Sequence, residues 1–305
     1  MSSNESCIDL IRYGPGSENS TAVSLKDGNA YCRQLARSHY ENFSVASFLL
    51  PRDLRQHFYN VYAYCRWADD LADEIGDPQE SLRLLDWWEA QLEACYQGRS
   101  THPVFVALRP TIQRFDMPIA PFRQLLYAFR RDQQQTRYET LDDLLSYCEC
   151  SANPVGRIVL RLAHSDSVEN AVFSDSICTG LQLANFCQDV ARDNARGRIY
   201  LPQVNWAKCG YTEADFAACV YNAPFRELLK AEVDRAETYL QAGEPLVRKV
   251  RGPTCLDIEL FVRGGLAILA AIRRADYNVW QQRPTIGKWK KTQLLIGAWC
   301  RTRAK

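Results

Sequence analysis

A chain of 305 residues with 47% hydrophobic content is long enough to bury one large core or two small ones. Its net charge of +1 leaves no basic excess to neutralise phosphates along a strand, which sets nucleic acid aside as a partner. Twelve cysteines without a C-x-x-C pair, and histidines that never pair, argue against a disulfide scaffold or a zinc site; with no secretory signal, the cysteines read as reduced thiols in a cytoplasmic protein.

In chain order, residues 1–29 are polar, contain Gly14-Pro15-Gly16-Ser17 and show no period, so they read as a mobile tail. Helical patterns begin near Ala30. The run Leu54 to Cys65 places Phe58, Val61, Tyr62, Ala63 and Cys65 at helical spacing, with no Gly or Pro inside. It leads into Arg66-Trp67-Ala68-Asp69-Asp70-Leu71-Ala72-Asp73-Glu74, after which Gly76, Asp77 and Pro78 stop that helix and start the next. This next helix runs to Gly98 on an inner stripe of Leu82, Leu85, Trp88, Leu92 and Cys95. Short patterns follow at 103–114 and 120–135, and a longer one from Leu141 to Ala163 carries Pro154, which should kink it. Further helices fit 167–196, 212–219, 223–243, 254–281 and 286–302. No strand alternation or repeat period appears, and the longest apolar stretch, Gly264 to Ile272, is too short to span a bilayer. Short connections then predict an all-α, bundle-like single domain over 30–305.

Two stretches carry the chemistry. At about 100° per residue, Arg66, Asp70 and Asp73 share one strip of their helix, with Asp69 flanking it. Gln182, Asn185, Asp189 and Asp193 repeat at three, four and four, again on one face. Each D-x-x-x-D pair sits near a helix C-terminus, the end where the macrodipole favours cations, so each wants a positive partner. A solvated acidic helix end is the plain alternative for either cluster alone. For two such clusters a divalent metal suits better, because converging carboxylates without one drive each other's pKa upward. Mg2+ takes one or two protein carboxylates and completes its shell with water and phosphate oxygens, which implies a diphosphate ligand.

The residues that carry these clusters also resemble a known family. "YAYCRWADDLAD" (62–73), "YCECSANPVG" (147–156) and "QLANFCQDVARDNARGRIYLP" (182–202) are similar, in order and spacing, to the squalene/phytoene synthases. The resemblance covers about 39–300 and implies an isoprenoid-synthase-type helical bundle with a central cavity. "HYENFSVASFLLP" (39–51) resembles the hydroxysqualene synthase branch, which takes presqualene diphosphate and water to hydroxysqualene and diphosphate. Two departures from the condensing enzymes point the same way. Asn185-Phe186-Cys187-Gln188-Asp189 stands where they carry N-x-x-R-D, and Tyr40 and Asn42 stand where they tend to have serines.

The resemblance implies that Asp69, Asp73, Asp189 and Asp193 bind two or three Mg2+ ions, and that no NADPH or flavin is used. Arg66 can donate to a phosphate or pair with Asp69 or Asp70. Arg198, Tyr200 and Lys288 are candidates for closing over the diphosphate, with Tyr200 equally suited to the core and the Lys288, Lys290, Lys291 run equally suited to a solvated face. Tyr147 and Tyr277 resemble active-site tyrosines. A tyrosine ring can stabilise a carbocation through its π face, and Asn185 and Gln188 can position the water that captures it. Buried amides that link helices are the alternative for that pair. A head-to-head prenyl transferase (presqualene diphosphate/squalene or phytoene synthase) remains the rival activity. A non-catalytic relative serving as a binding protein is the rival from another class. A peripheral membrane contact and an association with a presqualene diphosphate synthase complete the expectations.

Overall fold

The computed structural model describes residues 9–17, 23–38, 52–250, 252 and 254–303. Every regular element among them is a helix, and the one extended pairing is an isolated bridge between Arg137 and Ile199. The all-α expectation therefore holds. The helices fall into two compact units, Met1–Gln134 and Gln135–Lys305, each with its own core.

The first unit contains α1 (Leu10–Tyr13), α2 (Leu25–Ser38), α3 (Arg52–Asp73), α4 (Pro78–Tyr96), α5 (Pro103–Phe115) and α6 (Ala120–Asp132). Its core is aromatic. Trp67 of α3 stacks on Trp88 of α4 with ring centroids 5.1 Å apart, and its Nε1 donates to the Tyr31 hydroxyl of α2 at 2.9 Å. Tyr64, one turn earlier, packs edge-on against Phe122 of α6 at 5.0 Å. With Tyr64, Trp67, Ala68 and Leu71 buried, the phase of α3 is fixed, and Asp69 and Asp73 fall on its half-exposed flank. His102 lies under these rings and caps α5, its Nδ1 accepting from the Val104 amide at 3.2 Å; burial pushes its pKa down to about 3, so it stays neutral.

The stretch expected as a tail is partly built into this unit. Asp9 caps the short α1, Tyr13 packs on Tyr31 and His102, and α2 opens at Leu25 rather than Ala30. Polar composition concealed this because the aromatic partners of Tyr13 are supplied from a distance. Residues 1–8 and 18–22, and the 39–51 stretch with Tyr40 and Asn42, lie outside the described residues.

The second unit contains α7 (Leu141–Ser151), α8 (Asn153–Leu162), α9 (Val168–Ala195), α10 (Gln203–Cys209), α11 (Glu213–Ala217), α12 (Ala223–Gly243), α13 (Leu246–Lys249), α14 (Thr254–Arg274) and α15 (Lys288–Arg303). Pro154 does more than kink the expected Leu141–Ala163 helix. Ala152, at φ −117°, separates α7 from α8, and Pro154 occupies the first turn of α8, where no amide donor is needed. The 254–281 helix stops early, at Arg274, because Asp276 and Tyr277 adopt left-handed φ values of 49° and 63°. α10 and α13 had no sequence signal, being only seven and four residues long.

α9 is the axis of this unit, packed against α8, α12, α14 and α7. It runs against α12 at glycine contacts. A Cβ on Gly243 would lie 2.7 Å from the Phe173 carbonyl oxygen and 2.4 Å from Ile177 Cγ1. Gly243→Ala is therefore expected to destabilise the protein by about 1–3 kcal/mol, the usual range for overpacking. Urea denaturation checks this, and an unchanged midpoint would mean that α9 and α12 can part without loss.

Two acids near the start of α14 are buried in different ways. Glu259 is held by Arg263 at 3.0 Å and Arg301 at 2.5 Å, and these partners keep its carboxyl below the usual range against the opposing effect of burial. Asp257 is equally buried, yet neither carboxylate oxygen receives a hydrogen bond, and burial pushes its pKa up to about 8.

Candidate active site

In the first unit the acidic strip is uneven. Asp70 is buried, with 1% of its surface exposed, whereas Asp69 and Asp73 are half-buried and Glu74 is exposed. Arg66 reaches both neighbours, pairing closely with Asp70 and lying 3.3 Å from Asp69. Arg66 is thus ion-paired with both acids, the second of its two alternatives. Neither Asp70 oxygen has an aligned hydrogen bond, despite the ion pair. Burial raises the Asp70 pKa to about 6, with Glu74 and Asp73 adding to the rise and Arg66 opposing it. Loss of solvation for the charged form is the main cause, and the neighbouring acids at this helix C-terminus add to it. α3 ends one residue later in the chain than Ala72, and Gly76 at φ +80° turns the backbone away before Asp77 caps α4.

In the second unit, α9 presents Asn185 exposed, Gln188 and Asp189 buried, and Asp193 half-buried. What reaches them is a strap between α14 and α15. Arg283 takes Asp189 with both ends of its guanidinium: Nε contacts Oδ1, and Nη2 donates to Oδ2 at 2.9 Å. The same Nη2 donates to Gln188 Oε1 at 3.1 Å, while Gln188 Nε2 donates to the Pro284 carbonyl at 2.5 Å. These bonds to Asp189, with the charges of Asp189 and Asp193 behind them, push Arg283 further into its charged form. The strap is anchored twice more. Asp276 accepts from the Tyr221 hydroxyl at 2.8 Å and pairs with Arg226 at 3.0 Å, and Trp280 packs on Phe216 and Phe225 at 5.1 and 5.3 Å.

The remaining candidates separate. Tyr200 is core: its ring stacks on Phe186 at 4.0 Å and sits 5.8 Å from Tyr147. Tyr147 is buried in the same cluster, 5.5 Å from Tyr138, so its π face belongs to an apolar wall beside α9. The Arg198 amide donates to the Asp193 carbonyl at 2.9 Å, and Ile199 bonds back to Thr136, which places Arg198 directly after the second acid pair. Tyr277 is half-buried at the left-handed turn where the strap begins. Lys288 opens α15; its side chain lies outside the described residues.

Arg283 was missed from the sequence. It lies 94 residues from Asp189, beyond any local pattern, and its one cue was an arginine next to a proline in a stretch with no helical period.

Among the described residues no three acids or other ligating side chains converge into a ready cation cage. Mg2+ does not require one, since it keeps several waters and takes one or two carboxylates together with phosphate oxygens. The donor set fits that pattern: each unit has a D-x-x-x-D pair of hard oxygen donors, and neither oxygen of buried Asp70 beside the first pair receives a hydrogen bond.

Comparison with known proteins settles the family. Residues 36–290 match the squalene/phytoene synthase family. The chain belongs to that family. It is 33% identical to a phytoene synthase of Arthrospira platensis, over 93% of this chain and 96% of the relative, and 29% identical to a 15-cis-phytoene synthase of Synechococcus elongatus, over 92% and 96%. Among solved structures, squalene synthase HpnC from Alicyclobacillus acidocaldarius is 45% identical, with a TM-score of 0.80 over 83% of this chain and 96% of that one. A dehydrosqualene synthase solved with a ligand is 26% identical, with a TM-score of 0.83 over 92% and 98%. The fold of this squalene/phytoene synthase family member is thus the all-helical one that the motifs implied.

Proposed function

We propose that this chain is a hydroxysqualene synthase, which ionises presqualene diphosphate with Mg2+ and lets water capture the carbocation. The observation that carries the reading is Gln188. Where condensing relatives carry an arginine beside the second aspartate motif, this chain has a buried neutral amide whose two ends are taken by Pro284 and Arg283. Position 188 itself carries no charge, and the guanidinium that reaches it, Arg283, is tied to Asp189. One cation thus serves where an added arginine would give two; this weakens the grip on a second diphosphate, which a condensation needs and a solvolysis does not. The 45% identity to squalene synthase HpnC supports chemistry on the squalene side of the family over the phytoene side.

When bound, Mg2+ would act as a Lewis acid on the departing diphosphate. Asp69 and Asp73 on α3, and Asp189 and Asp193 on α9, would supply its protein oxygens. Arg66 and Arg283 would donate to phosphate oxygens, with Arg198 and Lys288 next in line. Tyr147 and its aromatic neighbours would form the apolar wall against which an allylic or cyclopropylcarbinyl cation is stable. Exposed Asn185, one turn before Asp189, could hand water to that cation, whereas Gln188 is committed to holding the strap.

A second reading is favoured by the curated relatives, which are phytoene synthases: head-to-head condensation of two prenyl diphosphates. Incubating purified protein and Mg2+ separately with presqualene diphosphate and with farnesyl diphosphate decides between them. The expected result is hydroxysqualene and diphosphate from presqualene diphosphate, with farnesyl diphosphate untouched. Consumption of farnesyl diphosphate alone would transfer the assignment to the condensing enzymes. Failure of inorganic diphosphate to bind in the presence of Mg2+ would point to a non-catalytic relative.

A further inference from the structure

The C-terminal end of α14 breaks two local preferences at one residue. Its backbone closes in a Schellman cap: the Asp276 amide donates to the Arg273 carbonyl at 3.0 Å, and the Tyr277 amide to the Ile272 carbonyl at 3.0 Å. Asp276 thus occupies the left-handed position of the cap, at φ 49°. Glycine is the usual residue there, and a cation is the favoured charge at a helix C-terminus. An aspartate has the wrong shape and the wrong sign for both. Tyr277 follows at φ 63°, a conformation that a bulky side chain crowds. Local rules broken together in this way point to a role beyond the turn itself.

What Asp276 gains comes from a neighbouring helix. The Tyr221 hydroxyl lies 2.8 Å from both the Asp276 carbonyl oxygen and its Oδ2, one proton shared between two acceptors. Arg226 Nη1 donates to the same Oδ2 at 3.0 Å. Tyr221 and Arg226 together hold the Asp276 carboxyl below the usual range. Tyr221 immediately precedes the cap of α12, and Arg226 lies in the first turn of that helix. The strap is therefore tied to α12 where it leaves α14. Seven residues on, Arg283 rests on Asp189 and Gln188. With Val279 buried and Trp280 packed on Phe216 and Phe225 in between, the direction in which the chain leaves α14 sets where Arg283 arrives.

We propose that Asp276, latched by Tyr221 and Arg226, is a positioning residue that aims the strap so that Arg283 stands ready beside the second aspartate pair. The inference rests on the reading of that pair as part of a Mg2+-dependent diphosphate site. A guanidinium already held in place loses less freedom when it donates to a phosphate, and the latch contributes there. Asp276 acts through Arg283 and not by touching substrate.

The test follows the Arg283 Nε–H resonance in 15N-edited NMR spectra of the full chain, identified by its loss in Arg283→Gln. In the free protein this proton, bound to Asp189, should exchange slowly with water. Asp276→Gly should speed the exchange about tenfold or more without lowering the unfolding midpoint, because glycine suits the left-handed cap and an exposed ion pair adds little. Asp276→Asn tolerates the same φ and keeps an acceptor for Tyr221, so it should retain the slow exchange. At saturating Mg2+, inorganic diphosphate should bind Asp276→Gly about tenfold more weakly than wild type, roughly the worth of one charged hydrogen bond. It should bind Asp276→Gly/Arg283→Gln no more weakly than Arg283→Gln alone. Slow exchange that persists in Asp276→Gly, or losses of affinity that multiply in the double variant, would overturn the proposal and leave Asp276 as part of the cap only. Fast exchange in Asp276→Gly, in a protein whose wild type binds no diphosphate, would uphold the latch and overturn the reading of the site.

Discussion

Asp189→Asn is expected to lower Mg2+-dependent diphosphate release by about a thousandfold, the several kcal/mol that a metal supplies to a leaving group. The substitution keeps the shape but removes the charge that would hold the cation, and it replaces one of the two acceptor oxygens that Arg283 uses with an amide donor. It also leaves Arg283 facing a neutral amide. Arg283→Gln provides the control that separates these effects. Asp189 has 11% of its side chain exposed and depends on Arg283 for both oxygens, so the metal-free protein should lose about 1–3 kcal/mol. This is less than the 3–5 kcal/mol typical of a fully buried pair, because Arg283 is itself partly exposed. Saturating Mg2+ should restore much of that loss by giving Asp189 a new partner. Thermal unfolding with and without Mg2+ reads this directly. If Arg283→Gln is equally destabilised in both conditions, Asp189 is a structural anchor for the strap and not a metal ligand.

Asp257→Asn should stabilise the protein at alkaline pH and leave it unchanged in acid. The folded-state pKa is about 8, above the ordinary value of about 3.9. Between these values the folded chain binds the proton more tightly than the unfolded chain does. Wild-type stability therefore falls as pH rises from about 4 to about 8, by about 1.4 kcal/mol per unit over this window. The asparagine variant cannot ionise, so its advantage should be negligible near pH 4 and reach several kcal/mol at pH 8. Asp70, with a pKa raised to about 6, contributes the same way to both proteins and cancels in the difference. Unfolding free energies measured in parallel across this range test the prediction, and curves that stay a constant distance apart would show that Asp257 is not ionising as its burial requires.

The parts of the site that were legible in the sequence are those that a helix repeats locally. Asp189 and Asp193 declare a shared face through their spacing, and Ser167 and Gly197 bracket the helix that carries them. Trp88 likewise announced itself as an inner position, and the structure stacks it on Trp67. Burial within a strip was not legible. Asp70 and Asp73 share a helical strip, yet only Asp70 is covered, because cover comes from the partner elements around α3 and not from α3 itself. Gln188 is the clearest case. Its residue type suggested water positioning, but its neighbours Arg283 and Pro284 come from the far end of the unit and hold the amide at both ends. The early end of α14 belongs here too, since two non-glycine residues in left-handed conformations have no compositional signature.

The grip of Arg283 on Asp189 fastens two points 94 residues apart. Five residues beyond that clasp the backbone enters α15, with no other helix between. Whatever draws the guanidinium off its carboxylate therefore lengthens the slack chain at the root of the C-terminal helix, while Arg301 on Glu259 keeps the far end of that helix moored.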